Sequence, residues 1–397
     1  MRAGKAAWLL GALVAVSYFW SIDGVFHFDD SHCIESNVAI RSLSNLPEIW
    51  TDPKTSSFIP ENRNYRPLTF SFFTLAWAIG GGATWSFHVM KMLMHFGVCL
   101  AMFLVWARLF AEPGWLPTSR ELSLKFPAFK RLWAITPESA AFLLAALFAV
   151  HPAGTETVIY VSPTTSLLCA LCYLWAFWLY LRSREPGARQ GRFVLGSLFL
   201  YFLAVASKEE GITLPAMVFL TELLLPRDRS SFTGGTGATV FARTRVAFTK
   251  TLPYAAFGLV LAAWVVVMRP HEGDESRGFI SSWQYFITQL RVYLLYLKLW
   301  VWPFDLNADN VSIQFNKSVL DPDVLQAALG NLLIISFAWW QRARFPALLF
   351  GLAWFYVAVS PTSSFVVLAE AMNEHRMYLA YAGFGGGVLA ILLWLVD

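Results

Sequence analysis

The sequence predicts an all-α integral membrane protein, a polytopic helical bundle of about ten spans. Three observations predict it. Of its 397 residues 57% are hydrophobic and only 14% charged, where a soluble globular domain carries about a quarter charged residues. The apolar residues fall into runs, and a helix crosses a bilayer in about 20 residues. The 18 Trp and 13 Tyr suit a membrane, because such rings gather at the headgroup level. The same composition excludes a soluble enzyme, a disordered chain and a nucleic-acid-binding module.

The candidate spans are 6–22, 84–110, 137–152, 164–182, 193–207, 211–226, 251–268, 324–340, 346–360 and 378–396. Arg2 and Lys5 precede the first run and no small-residue cleavage site follows it, which marks a retained signal-anchor. Lys and Arg in short loops set orientation. The N-terminus and loops 111–136, 183–192, 227–250 and 341–345 are therefore placed in the cytoplasm. That side then holds 18 of the 30 Lys and Arg but only 7 of the 26 Asp and Glu. The same bias decides two ambiguous segments. If 66–80 or 283–303 crossed, the basic loops after each would change sides. Both are read as re-entrant or interfacial, the second with Arg291 and Lys298 among its aromatics. Residues 1–397 then form one transmembrane domain. Its outer loops are 23–83, 269–323 and 361–377, and 227–250 is a flexible Gly/Ser/Thr-rich linker.

The four cysteines make no framework. Cys99, Cys169 and Cys172 lie in apolar runs and Cys33 stands apart, so packing outweighs metal or redox chemistry and no disulfide is expected.

Five polar clusters fall on the expected outer side. In His27-Phe28-Asp29-Asp30, a carboxylate at the membrane boundary can serve as a general base; the plainer reading is a solvated pair or helix cap. If the pair is extended, only one of Asp29 and Asp30 can face an acceptor. Ser207-Lys208-Glu209-Glu210-Gly211 sits at a tight turn, where Lys208 could hold a phosphate or the charges simply reach into headgroups. In Asn373-Glu374-His375-Arg376, the guanidinium suits bidentate contact with phosphate or interfacial snorkelling. His151-Pro152-Ala153-Gly154-Thr155-Glu156 places Glu156 to orient a sugar hydroxyl or to pair with Lys208 or Arg376. Asn64-Tyr65-Arg66-Pro67 places Arg66 to touch substrate or to anchor its segment. His88, Lys91 and His95 share one helix face, too far apart for one metal ion, and read as a polar stripe turned toward the bundle. Asp305, Asn307 and Asp309 lack the rest of a calcium loop. No Walker A, GxGxxG, GxSxG or HExxH motif occurs.

Seven segments, in order and on one side of the membrane, give the chain a family likeness. They are Phe28-Asp29-Asp30, YRPLT at 65–69, FHVMKMLMH at 87–95, LFAVHPAGTETV at 147–158, SKEEGIT at 207–213, LNAD at 306–309 and HRMYLAYAGF at 375–384. With these the chain resembles the GT-C glycosyltransferases, and among them the transmembrane and TPR-repeat-containing O-mannosyltransferases and their bacterial relatives. Two places depart from the family pattern. Ser162-Pro163-Thr164-Thr165 stands where the family has a Gly-Arg-acid element, and the family's Glu-Arg-Leu-Tyr-Leu-Pro element reads His375-Arg376-Met377-Tyr378-Leu379-Ala380. No TPR array is present, as in a truncated or minimal member.

The resemblance implies a GT-C-like fold and an inverting transfer of mannose or another hexose from a polyprenyl-phosphate donor to a protein or glycan hydroxyl. Asp29 or Asp30 would be the base. Arg376 and Lys208, with Arg66 in reserve, would hold the donor phosphate. Glu156, Glu209, His151 and Tyr65 would orient substrates. No resident cofactor is expected beyond the lipid-linked sugar as co-substrate, and the transfer is taken as metal-independent, with a divalent metal left open. The partners are the polyprenyl-phosphate sugar, the acceptor and membrane lipids, without nucleic acid. The expected place is the bacterial inner membrane with the site facing the periplasm, or the endoplasmic reticulum lumen in a eukaryote. Two alternatives stand beside this reading: a lipid-linked sugar transporter or flippase, and an inactive glycan-binding membrane scaffold. A transporter would carry charges near mid-membrane on broken, paired halves, whereas here they collect at one surface.

Overall fold

The computed structural model describes residues 3–117, 135–185, 187, 189–225, 237–269, 280–308, 313–364, 367–368 and 370–396. The described residues are helices and their connections, with no strand. The helices are α1 (Ala3–Tyr18), α2 (Leu46–Thr51), α3 (Pro67–Gly80), α4 (Thr84–Phe110), α5 (Pro137–Ala149), α6 (Thr155–Ile159) and α7 (Thr164–Ser183). They continue as α8 (Gln190–Ser207), α9 (Leu214–Leu224), α10 (Gly237–Met268), α11 (Ser282–Val301), α12 (Pro322–Trp340), α13 (Pro346–Val359) and α14 (Tyr378–Val396).

Local chemistry sets many of the boundaries. Pro67, Pro137, Pro322 and Pro346 open their helices in the first turn, where a missing N–H costs nothing. Thr136 with Ser139, and Ser281 with Gln284, close reciprocal caps on α5 and α11. α3 ends at Gly81 and Gly82, with φ of +62° and +92°, a left-handed reversal open to glycine at little cost. It turns the chain straight into α4.

Among the described residues seven helices are long and apolar enough to cross a membrane, which makes this an integral, multi-pass membrane protein. Three of the ten expected spans are shorter than expected. α9 has 11 residues and α13 has 14. α5 stops at Ala149, and the segment Pro152–Ile159 leaves it at 61°. Pro152 lacks the N–H needed to continue the helix and biases His151 toward the extended backbone it adopts, ψ 126°. The expected linker 227–250 also needs correction. Its part up to 236 lies outside the described residues, but α10 begins at Gly237, so the rest is helix.

The two segments read as interfacial do not run from one end of the bundle to the other. α11 turns one face, Tyr285, Gln289, Tyr293 and Tyr296, onto the chain that leads from α13 to α14. These side chains donate to the carbonyls of Thr362, Ala371, Ser363 and Asn373 at 2.8–2.9 Å. Both its ends therefore lie at the same end of the bundle. α3 behaves likewise. Its entry, Arg66, meets Glu209 beyond α8, and its exit leads directly into the start of α4.

A single apolar core runs from Ala6 to Leu393. Its tightest seam is α13 against α14. A Cβ on Gly351 would lie 2.9 Å from the Gly383 carbonyl, and one on Gly386 would overlap the Trp106 ring. Helices without a hydrophobic drive toward one another pack through such small residues. Trp106 Nε1 donates to the Ala382 carbonyl at 2.8 Å and Trp354 Nε1 to that of Leu379 at 3.1 Å, pinning α14 from two sides. The four cysteines are free and buried. His88, Lys91 and His95 face inward, each at most 2% exposed.

Candidate functional site

The ends of α1, α4, α6, α8, α11 and α14 gather at one end of the bundle, and the polar clusters gather with them. Two adjoining cavities open there, of about 490 and 160 Å³. They share Asp29, Arg66, Ser162 and Leu368 in their walls. Arg66, Lys208 and Arg376, three cations from segments far apart in sequence, line the smaller cavity together with Asp29.

Asp29 and Asp30 receive opposite environments. The Asp29 side chain is 62% exposed and lines both cavities. Its Oδ1 lies 3.3 Å from His32 Nε2, and its backbone N–H donates to the Tyr160 hydroxyl at 2.9 Å. The bond from His32 holds its carboxyl below the usual range, against the effect of partial burial. Asp30 is fully buried. Its two oxygens accept the backbone N–H groups of Ser162, at 2.7 Å, and His27, at 3.1 Å. Burial pushes its carboxyl up to about 6, while these bonds and the nearby Lys91 charge pull the other way. Asp30 is thus a strut that ties two loops together. Lys91 completes the strut by donating to the Tyr160 and Val161 carbonyls. Phe28, just before the pair, holds a φ of +44°, a costly backbone for an aromatic residue and one that tends to occur at functional sites.

Each cation in the smaller cavity has a carboxylate companion. One Arg66 amino group sits 3.1 Å from both oxygens of Glu209. Burial alone would raise the Glu209 carboxyl, but the charges of Arg66 and Lys208 hold it down at about 2. Lys208, 3% exposed, lies 2.7 Å from Glu210 and donates to Ser166 Oγ at 2.9 Å. Arg376 donates to the Glu370 carbonyl at 3.0 Å and approaches its carboxylate at 3.6 Å.

Three expected substrate-orienting residues do not line either cavity. His151 stacks on Trp300 and spends its nitrogens on the Trp300 carbonyl and the Ala153 N–H. Tyr65 donates to the Trp50 carbonyl at 2.7 Å and packs its ring on Trp264. Glu156 pairs with neither Lys208 nor Arg376. It holds His375 instead, at 2.7 Å through Nδ1 and 2.8 Å through the backbone N–H. Four residues were not singled out from sequence. His375 and Glu210 lie inside quoted motifs. His32, at Asp29, and Glu370, at Arg376, had no motif to mark them. Asp309 lies outside the described residues. Among the described residues no group of three His, Cys, Asp or Glu side chains is placed to hold a metal ion.

Fold and site together define a polytopic membrane protein with an acid and three cations around one polar cavity at a single end of its bundle. Comparison with known proteins finds relatives for part of the chain. The chain is 33% identical over 226 residues to the human protein O-mannosyl-transferase TMTC4, a match that takes in 55% of this chain and 29% of that protein. It is 30% identical over 233 residues to human TMTC1, covering 56% of this chain and 24% of the relative. The Drosophila melanogaster Tmtc2 matches at 31% over 214 residues, 51% of this chain and 20% of the relative. The chain therefore covers less than a third of the length of these curated relatives, and the similarity to the TMTC O-mannosyl-transferases takes in about half of it. No family model matches the sequence, and no solved structure matches it.

Proposed function

We propose that the chain is a membrane glycosyltransferase that moves mannose or another hexose from a polyprenyl phosphate to a hydroxyl of a protein or glycan, with inversion and without a metal. One observation carries the reading: Asp29 and the three cations Arg66, Lys208 and Arg376 line one small cavity. The relatives' printed activity, protein O-mannosyl transfer, supports it.

In this mechanism the donor phosphate sits among the three cations while its prenyl chain lies in the bilayer. The acceptor hydroxyl approaches Asp29 from the larger cavity. Asp29 takes the hydroxyl proton as the oxygen attacks the anomeric carbon from the face opposite the phosphate. The carbon–oxygen bond to phosphate breaks, and its electron pair stays on the phosphate. A carboxylate held below its usual range is ionised at neutral pH but is a weak base. The larger share of the rate therefore falls to the cations, which stabilise charge as it develops on the leaving phosphate. Asp30, Lys91, Glu156 and Glu209 act by holding other groups in place. The site would face the periplasm of a bacterial inner membrane, or the endoplasmic reticulum lumen in a eukaryote.

The test is transfer of a labelled hexose from a polyprenyl phosphate in proteoliposomes. Asp29→Asn is expected to slow transfer by about 10²–10⁴-fold, the usual worth of a positioned base, with the protein still folded. Undiminished transfer by Asp29→Asn removes Asp29 as the base.

A further inference from the structure

One polar side chain in the smaller cavity takes no part in the transfer as described. His375 lines that cavity beside Arg376, Lys208 and Arg66. Its Nδ1 and its backbone N–H address the two oxygens of one carboxylate, Glu156, at 2.7 and 2.8 Å. The Glu156 side chain is 6% exposed and reaches His375 from α6, a different part of the chain. Nε2 has no hydrogen-bond partner among the described residues. A carboxylate at Nδ1 fixes the tautomer and the plane of an imidazole and turns the other nitrogen to its work. Here the residue lines a cavity walled by three cations, the setting of an anion.

We propose that His375, oriented by Glu156, is a catalytic residue that gives a proton through Nε2 to the phosphate leaving the donor. The inference rests on the transfer reading for its reaction, although its ligand, a prenyl monophosphate, can be studied without any sugar. The charge count calls for such a group. A glycosyl phosphodiester carries one negative charge. When its bond to the anomeric carbon breaks, the electron pair stays on the phosphate oxygen and a second charge appears. The second ionisation of a phosphate monoester lies near 6, and burial holds the His375 imidazole below the ordinary histidine value of about 6.5, against the raising effect of Glu156, so the imidazolium yields its proton readily to the phosphate. Asp29 meanwhile takes the acceptor's proton, and solvent exchange resets both groups. The charged and titratable groups around His375 are Glu156 from α6, Asp29 and Arg66 from the first outer loop, and Tyr160. Lys208 and Glu209 face it from the turn after α8, and Glu370, Glu374 and Arg376 flank it.

The experiment measures binding of farnesyl monophosphate to the full chain in detergent micelles across pH. Above neutrality the free ligand and free histidine have both lost their protons, so a complex that shares one must take it up. Wild-type affinity is therefore expected to fall by about tenfold per pH unit there. In His375→Gln, which keeps a donor of similar reach but carries no proton, the fall should vanish, and in Glu156→Gln it should shrink. Transfer by His375→Gln should be at least about tenfold slower, with the alkaline limb of its kcat/KM profile lost. A wild type that binds with no alkaline fall, or a His375→Gln protein with the same fall, overturns the inference; so does a wild type that does not bind the ligand. The wild-type measurement decides even if the variants fail to fold. Binding with the expected fall but no sugar transfer would leave His375 as a phosphate partner and overturn the transferase reading alone.

Discussion

Both ends of the bundle bury a cation against a glutamate, and one end gathers several such pairs around a cavity. At one end Arg184, 5% exposed, meets Glu222 at 3.0 Å. Tyr180 also donates to that carboxylate, and the guanidinium donates to the Leu225 carbonyl. Every one of these bonds ties α7 to α9 or its exit. At the other end Lys208 meets Glu210 at 2.7 Å, just as buried, yet it lines a cavity with Arg66 and Arg376. Burial and pairing of charge do not by themselves distinguish a clamp from a binding site, because structural networks perturb charged groups as strongly as active sites do. The distinguishing feature is several like charges converging on one cavity. Mutual repulsion makes that arrangement costly unless carboxylates offset it, as Glu209, Glu210 and Glu370 do.

Removing the cation from each pair is the sharpest way to break this comparison. Lys208→Met and Arg184→Met each take the cation from a buried ion pair, a loss that costs about 3–5 kcal/mol. Both should lower the thermal unfolding midpoint in mild detergent by similar amounts. Only Lys208→Met should also lose farnesyl monophosphate. Adding Glu210→Leu to Lys208→Met removes the stranded charge, so it should recover most of the stability and none of the binding. If Arg184→Met weakens the ligand as much as Lys208→Met does, the two ends are not different in kind.

How much of this was legible beforehand follows from what a sequence displays. Hydropathy is carried by every residue of a span, so the long helices could be read directly, and helical spacing gave the inward stripe of His88, Lys91 and His95. Where the bounds were off, the ends of a run were at fault. The span expected over 137–152 ends at Ala149, and Pro152 opens a separate turn. The site was legible as a set of charged clusters, and Asp29, Arg66, Lys208, Glu209 and Arg376 do line one cavity. Their partners were not. Glu156 is 219 residues from His375 and Asp30 is 132 from Ser162, and a motif carries no record of which distant group its side chain will meet. Backbone donors such as the Ser162 N–H are present at every non-proline position and so give no signal at all. That is why two adjacent aspartates, equal on paper, could not be separated.

The separation of Asp29 from Asp30 has a measurable sign. Asp30 holds its proton more tightly when folded, at about 6 against an ordinary 3.8. Between about pH 4 and 6 the folded chain then carries more protons than the unfolded one, so this group's contribution to stability falls as pH rises and is fully lost above 6. At about 1.4 kcal/mol per unit the loss is on the order of 3 kcal/mol. Asp29, lowered, runs the other way. Its contribution is present above its ordinary 3.8 and is lost as pH falls, and exposure to solvent screens it to a smaller amount. Glu210, raised by burial, adds to the Asp30 slope, while Glu209, lowered, opposes it. The whole-protein curve therefore mixes these groups with others, Glu374 and His375 among them, and the informative quantity is a difference between variants. Asp30→Asn cannot ionise and keeps one oxygen for the Ser162 N–H. Its unfolding midpoint should gain on the wild type steadily from pH 4 to 6 and hold that gain above. Asp29→Asn should fall behind the wild type below that range, as pH rises toward 3.8, and run parallel to it from there on. Parallel curves for Asp30→Asn and wild type would mean that Asp30 is no buried strut, and the choice of Asp29 as the base would lose its physical ground.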